Sequence, residues 1–491
     1  MKFLFKFSSL IIVLVFVFMV RGTSTAQTRE TGPAIVIPID ANTTYQKIDG
    51  FGFFGGIGGI WTSEKAGDFY NDAWLDMVID DMGLTIWRDE LYPHYPDPRV
   101  NTNPERTDKQ DCWWDKKKPI VQAIYNKAKA SGVDLKVILT VWSPPAELKC
   151  YQETKGEWHS PTGIIDESKP NPGLTKKGGA LKPSAYREYA EWLVDGIRMY
   201  KKAGIPVYAI SPQNEPNFYE PYNSCQYTEQ MYTDMLKAIT PVIKAEFPDI
   251  KIFGCEHMAQ HEANGWSTYH RTIMQDPIAL NDLDIWAYHG YTDGVNASGA
   301  SNTPQIWDNI HTMLQDTGKP VWMTEFSDGG AKYFSEDIDG ALNLAHAIYS
   351  ALYHGHVSAW VWWQGSNRLA EGIDGYTLTA DTLTGYKYAA SKHYYRFIRP
   401  GAKMIKAVSP ANELFVSAYR NTDGQIAIVL INISDQPVSL KLDNATLPSG
   451  EYSVYRTSSK ELCQKVETLN IKNRIHIMGK CIYTLTSGDA P

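Results

Sequence analysis

The chain has 491 residues, 43% of them hydrophobic and 21% charged, a balance that predicts a folded protein with one large domain and room for a smaller one. Its formal net charge is −8 and no basic block occurs anywhere, which argues against nucleic acid as the partner.

The chain opens with MKFLFKFSSLIIVLVFVFMVRGTSTAQ. Lys2 and Lys6 supply a positive start, Leu10 to Val20 an apolar run, and Ser24-Thr25-Ala26 a small-residue cleavage site. This pattern predicts a secretory signal peptide over residues 1–26, with export to the medium, the periplasm or the cell surface. The apolar run is short for a membrane span, and no later segment is long and apolar enough to be one. All six cysteines, Cys112, Cys150, Cys225, Cys255, Cys463 and Cys481, follow this leader. An exported protein with an even count is expected to form disulfides, and Cys463 with Cys481, close together in one β-rich stretch, is the expected pair.

Residues 27–48 contain AIVIPI, which reads as a strand that joins the C-terminal domain. From 49 to 400, short apolar runs alternate with helical patterns. Strands are expected at Phe51–Phe54, Leu84–Arg88, Lys136–Val141, Val207–Ile210, Lys251–Gly254, Asp284–His289, Val321–Glu325 and Ala359–Trp363. Between the third and fourth, Ala185, Tyr189, Leu193, Ile197 and Tyr200 recur at helical spacing, with Pro183-Ser184 at the start and Gly204 at the stop. Strand and helix alternating eight times predict a (β/α)8 TIM barrel, with a doubly wound open sheet as the competing architecture. After Arg399-Pro400-Gly401, runs such as LFVSAYR, QIAIVLIN and CIYTLT predict a β-sandwich over residues 401–491.

In such a barrel the reactive groups sit at the carboxyl ends of the strands, where the loops converge. Glu215 follows the fourth expected strand and Glu325 ends the seventh, so both carboxyls face one cleft, where one can act as general acid and the other as nucleophile. Arg88 ends the second strand, where its guanidinium can hold a nearby carboxylate ionised. Trp142 follows the third, and His289 and Tyr291 close the sixth. Aromatic residues reach 12%, including 15 Trp and 29 Tyr, an excess that suits stacking on flat ligands such as sugar rings. On the eighth strand Trp362 is assigned to that use, and Trp360 and Trp363 to packing.

The segments DGFGFFGG, WSPPAELK, SPQNEPNF, YHGY, MTEF and WVWWQGS occur in an order that resembles glycoside hydrolase family 30. The resemblance covers Asp49 to Pro400 and implies a retaining β-glycanase or β-glycosidase. On matching positions it implies Glu215 as acid/base, Glu325 as nucleophile and Asn214 as a partner of the sugar 2-hydroxyl. It further implies a polysaccharide or oligosaccharide substrate, β-1,4-xylan first; the chain is also expected to be a monomer that uses no cofactor. Two departures matter. Where family xylanases usually carry WMK, this chain has Glu147-Leu148-Lys149 and then an insertion from Cys150 to Gly179. Where glucuronoxylan-specific members carry arginine and tyrosine, it has QGSNRLAEG with the single Arg368. β-1,6-Glucan, β-1,6-galactan and exo-action on small glycosides or glycolipids therefore stay open.

Gly50, Gly52 and Gly55 spell GxGxxG, but interleaved phenylalanines suit a barrel strand better than a nucleotide loop. His257 and His261 have zinc-like i, i+4 spacing, but the glutamate of HExxH is replaced by Met258, so a surface or substrate-loop role is expected and no metal. A non-catalytic glycan-binding protein would be expected to lose one of the two acids, and both are present.

Overall fold

The computed structural model describes residues 33–55, 70–93, 114–157, 159–171, 177–220, 223–291, 303–327, 334–443 and 445–488. The expected signal peptide and Cys112 lie outside these residues.

Eight parallel strands close into a barrel: Gly50–Phe54, Ile86–Glu90, Lys136–Thr140, Val207–Ser211, Lys251–Met258, Ile285–His289, Val321–Glu325 and Ala359–Trp362. They follow one another around the barrel in chain order, the last pairing with the first through Trp360↔Phe51 and Trp362↔Phe53. The open-sheet alternative is thereby excluded. Ile86, Ile138, Ala209, Phe253, Ile285, Ala287, Trp322, Ala359 and Val361 form a separate cluster in the barrel interior. The alternate positions pack outward against helices, which is why each strand reads as a nearly continuous apolar run. The expected helix forms over Tyr186–Lys202, entered by a 3-10 turn at Pro183–Ala185, and it buries Tyr189, Leu193, Ile197 and Tyr200. Gly204 ends it with φ +77°, a conformation that costs glycine little.

The glycines of the first strand serve this packing. A Cβ on Gly52 would lie 1.9 Å from the Ile86 carbonyl oxygen, and one on Gly55 would lie 2.3 Å from the Trp87 ring. The GxGxxG spacing thus records a close strand contact.

The C-terminal segment belongs to a nine-stranded sheet that folds over a second core, including Val416, Ile428, Leu440, Val454 and Leu485. The strand Ile35–Lys47 enters this sheet between Lys403–Ala407 and Val438–Asp443, antiparallel to the first and parallel to the second. The sheet is joined to the barrel helix Tyr386–Tyr395 through His393, whose Nδ1 lies 2.8 Å from Thr484 Oγ1 and whose Nε2 lies 2.9 Å from Thr457 Oγ1. Cys463 and Cys481 are both buried and free, so the expected pair is not joined. Sequence proximity set that expectation, and it does not fix the distance between two thiols. Among the described residues no helix is long and apolar enough to cross a membrane.

Candidate active site

Carboxylates converge at the C-terminal end of the barrel, and a single buried guanidinium organises them. Arg88, fully buried, leaves the second strand and donates from Nε to Thr140 Oγ1 at 3.2 Å. Its Nη1 donates to Glu325 Oε2 at 2.5 Å, and its Nη2 to Asn214 Oδ1 at 2.8 Å and to Glu256 Oε1 at 2.9 Å. The Trp142 ring lies beneath it, 4.8 Å from the guanidinium carbon, a cation–π contact in a dry setting. Tyr291 completes the grip on Glu325 by donating its hydroxyl to Oε1 at 2.8 Å.

Glu215 occupies a left-handed backbone conformation, φ +43°, just beyond the fourth strand. Strain of this kind persists only where the surroundings fix it. Here the Asn214 N–H donates to the Val141 carbonyl at 2.7 Å, and the Glu215 N–H to the Glu256 carbonyl at 3.3 Å. The Glu215 carboxyl meets His289 Nδ1 at 2.7 Å. Burial raises its pKa and the nearby Glu325 adds to the rise, against the opposing pull of His289 and Arg88. Burial disfavours the charged form of His289, but Glu325, Glu215 and Glu256 outweigh it and push the imidazole up to about 9. Burial also opposes ionisation of Glu256, yet Arg88 and His289 prevail and bring it down to about 2.

The structure therefore brings Arg88, Trp142, Asn214, Glu215, His289, Tyr291 and Glu325 together. Two expected positions fall elsewhere. Trp362 is fully buried; its Nε1 donates to the Tyr376 carbonyl at 2.7 Å and its ring packs edge-on to Phe334. It cannot stack on a ligand. Ala359 and Val361 point into the barrel, so Trp360 and Trp362 point out, and the next inward position is Trp363. That half-buried indole stacks on Phe54 with centroids 4.4 Å apart and lies 5.7 Å from Trp142. Arg368 forms an ion pair with Glu371 on the following 3-10 turn.

His257 departs from its expected surface role as well. It lies in the fifth strand, is fully buried and hydrogen-bonds Ser267 Oγ. Glu256 and Glu220 were not anticipated. Glu220 accepts from Asn214 Nδ2 at 3.1 Å, and burial, followed by the charges of Glu215 and Glu325, raises its carboxyl well above the usual range.

One ligating atom from each of Glu215, His289 and Glu325 lies within 4.8 Å of the other two. That compactness would suit a cation, but the Arg88 guanidinium already supplies the counter-charge at hydrogen-bond distance. The arrangement sets the Glu215 carboxyl, whose pKa is raised, beside a second carboxyl held by Arg88 and Tyr291. A cavity of about 610 Å3 lies at the opposite end of the barrel, lined by the strand starts Tyr208, Lys251, Ile285 and Val321, away from this chemistry.

Residues 184–367 match the model of the cellulase family, glycosyl hydrolase family 5, and residues 401–460 match the glycosyl hydrolase family 30 beta sandwich domain. The glucuronoxylanase XynC of Bacillus subtilis (strain 168) is 27% identical over 298 residues, which is 60% of this chain and 63% of that protein, so the match spans less than two thirds of the relative. Among solved structures, the family 30 subfamily 8 xylanase Xyn30A of Clostridium acetobutylicum superposes with TM-score 0.68 at 22% identity, covering 92% of this chain and 98% of that one. The endo-beta1,6-glucanase BT3312 does so with TM-score 0.66 at 20% identity, covering 93% and 94%. Barrel, paired carboxyls and matched models together define a glycoside hydrolase. Within that class the sandwich model, the xylanase relative and the superposed structures share one likeness, to glycoside hydrolase family 30.

Proposed function

We propose that the protein is an exported endo-β-glycanase that hydrolyses β-1,4-xylan with retention of configuration, through Glu325 as nucleophile and Glu215 as acid/base. One observation carries the mechanism: a carboxyl oxygen of Glu215 lies within 4.8 Å of one of Glu325. Retaining glycosidases hold these groups about 5–5.5 Å apart, whereas inverting ones leave roughly 6.5–9.5 Å for a water. In the first step a Glu325 oxygen bonds to the anomeric carbon as the glycosidic bond breaks, and Glu215 gives its proton to the departing oxygen. The product is a glycosyl ester on Glu325. In the second step Glu215, now a carboxylate, takes a proton from water, and the hydroxide oxygen displaces Glu325. The raised pKa of Glu215 supports the first role, and loss of the Glu325 charge on esterification supports the switch to the second.

The xylan assignment rests on likeness to xylanases, and unsubstituted stretches fit best because Arg368 is engaged by Glu371. The second reading, β-1,6-glucan, is favoured by the similar superposition on BT3312. Incubation of the purified enzyme with xylan, glucuronoxylan, β-1,6-glucan and β-1,6-galactan, with products sized by chromatography, separates the readings. Short xylo-oligosaccharides of several lengths are expected from xylan. Release of monosaccharide alone would overturn endo-action, and cleavage of only the β-1,6-glucan would overturn the xylan assignment. The amino terminus of protein recovered from the culture medium or periplasm is expected near Gln27.

A further inference from the structure

Glu256 is fully buried at the end of the fifth strand, where no role is assigned to it. The strand pairs Cys255 with Ala287 and His257 with Tyr288, so Glu256 is the extra residue of a bulge. Its φ of +54° re-aims the side chain, as bulges beside active sites commonly do. The carboxylate accepts from Arg88 Nη2 at 2.9 Å and from Thr140 Oγ1 at 3.4 Å, and its Oε1 lies 3.6 Å from His289 Nε2.

We propose that Glu256 is a positioning residue of this site: its carboxylate clamps Arg88 and His289, and so fixes the two groups that hold Glu325 and Glu215. This rests on the reading of Glu215 and Glu325 as the working pair. Among the described residues the groups facing His289 are Glu215 on one ring nitrogen, Glu256 and Glu325 at 3.6 and 4.0 Å from the other, and the Tyr291 ring 6.3 Å away. His257, on the fifth strand, is held neutral chiefly by burial, with the charges of His261, His270 and His289 adding to that effect. With Glu215 carrying its proton, the cations Arg88 and His289 face two carboxylates, Glu256 and Glu325, and the cluster is neutral. Removing the Glu256 charge leaves an excess positive charge in a dry site, which His289 or Glu215 relieves by losing its proton at lower pH.

The Glu256→Gln variant is therefore expected to move the alkaline limb of kcat/KM on soluble xylan to lower pH by about one unit or more, with kcat reduced roughly tenfold or more. In 15N-histidine-labelled protein without substrate, the His289 signal, assigned by its loss in His289→Gln, should titrate well above its ordinary 6.5 and fall by a similar shift in Glu256→Gln. Glu256→Asp, which keeps the charge, should retain the high midpoint. A structural role alone would lower activity without moving the limb or the signal, and that result overturns the proposal. If Glu256→Gln does not fold, the wild-type titration decides, because a His289 midpoint at or below 6.5 also overturns it. A wild-type protein that cleaves no glycan while His289 still responds to residue 256 would sink the hydrolytic reading and leave the clamp standing.

Discussion

Arg88 and Glu325 meet at 2.5 Å with side-chain exposures of 0% and 8%, so the ion pair beneath the proposed nucleophile is almost entirely out of water. Breaking such a pair from one side leaves an uncompensated buried charge, at a cost of about 3–5 kcal/mol. Arg88→Ala strands both Glu325 and Glu256 and is expected to lose stability of that order together with activity. Glu325→Gln keeps a hydrogen-bonding group opposite Arg88 and Tyr291, so it should lose about three orders of magnitude or more in kcat while folding and binding glycan nearly normally. Urea unfolding and initial rates on soluble xylan check both; near-normal turnover by Glu325→Gln would remove it as nucleophile.

In the proposed acid/base role, Glu215 has to hold its proton until the leaving oxygen arrives. Burial first, and then Glu325, raises its pKa, so the active form is lost as pH rises through that value and the alkaline limb of the rate profile reports it. Glu215→Ala should still cleave dinitrophenyl glycosides, whose leaving groups need no protonation, and added azide should speed its turnover by attacking the glycosyl ester. Equal loss on natural and activated substrates, with no effect of azide, would make the Asn214-Glu215-Pro216 turn merely structural.

The two neighbouring indoles at the eighth strand should separate cleanly. Trp363→Ala removes a half-buried face beside Phe54 and Trp142 and is expected to lower kcat/KM on the order of tenfold with little change in Tm. Trp362→Ala empties a fully buried position and should cost about 3–5 kcal/mol of stability. The reverse pattern would place the sugar face on Trp362.

That pair also shows where sequence reading reached its limit. Strand positions alternate in and out, so a shift of one residue at the end of a strand transfers a role from one tryptophan to the next. The eight strands themselves were legible because strands buried on both faces show as short apolar runs. Arg88, Glu215, His289, Tyr291 and Glu325 were legible as polar residues at the ends of those runs, and Asn214 only through the family resemblance. Glu256 was not, because the fifth run seemed to stop at Gly254, whereas the strand continues to Met258 through a bulge. His257 failed for the same reason: i, i+4 spacing implied a helix where the chain is still extended.

Glu215, His289 and Glu325 are close enough to tempt a metal assignment, and a direct test is simple. With Arg88 in contact with Glu325, an added cation would face a guanidinium at hydrogen-bond distance. Dialysis against a chelator is expected to leave the rate on xylan unchanged. A loss restored by zinc or calcium would overturn the metal-free mechanism proposed above.

The contact between barrel and sandwich carries its own pH signature, through His393. Its imidazole is fully buried between Thr484 and Thr457, and burial first, with Lys392 adding to it, lowers its pKa from 6.5 to about 3. In the unfolded chain it would titrate near its ordinary value. Protonation therefore favours unfolding between these limits: the stabilising contribution is complete above about pH 6.5 and is lost as pH falls toward 3. Carboxylates such as Glu256 also lose stability in acid, so wild type alone cannot isolate the histidine. Comparison with His393→Gln can, because glutamine keeps hydrogen-bonding groups but does not titrate. At pH 7 the variant should be less stable by roughly 1–3 kcal/mol, the cost of imperfect pairing of buried polar groups. By pH 4.5 the urea midpoints of the two proteins should converge or cross, since only wild type must resist charging the imidazole. A stability difference that stays constant from pH 7 to 4.5 would mean that His393 is not held neutral at this junction.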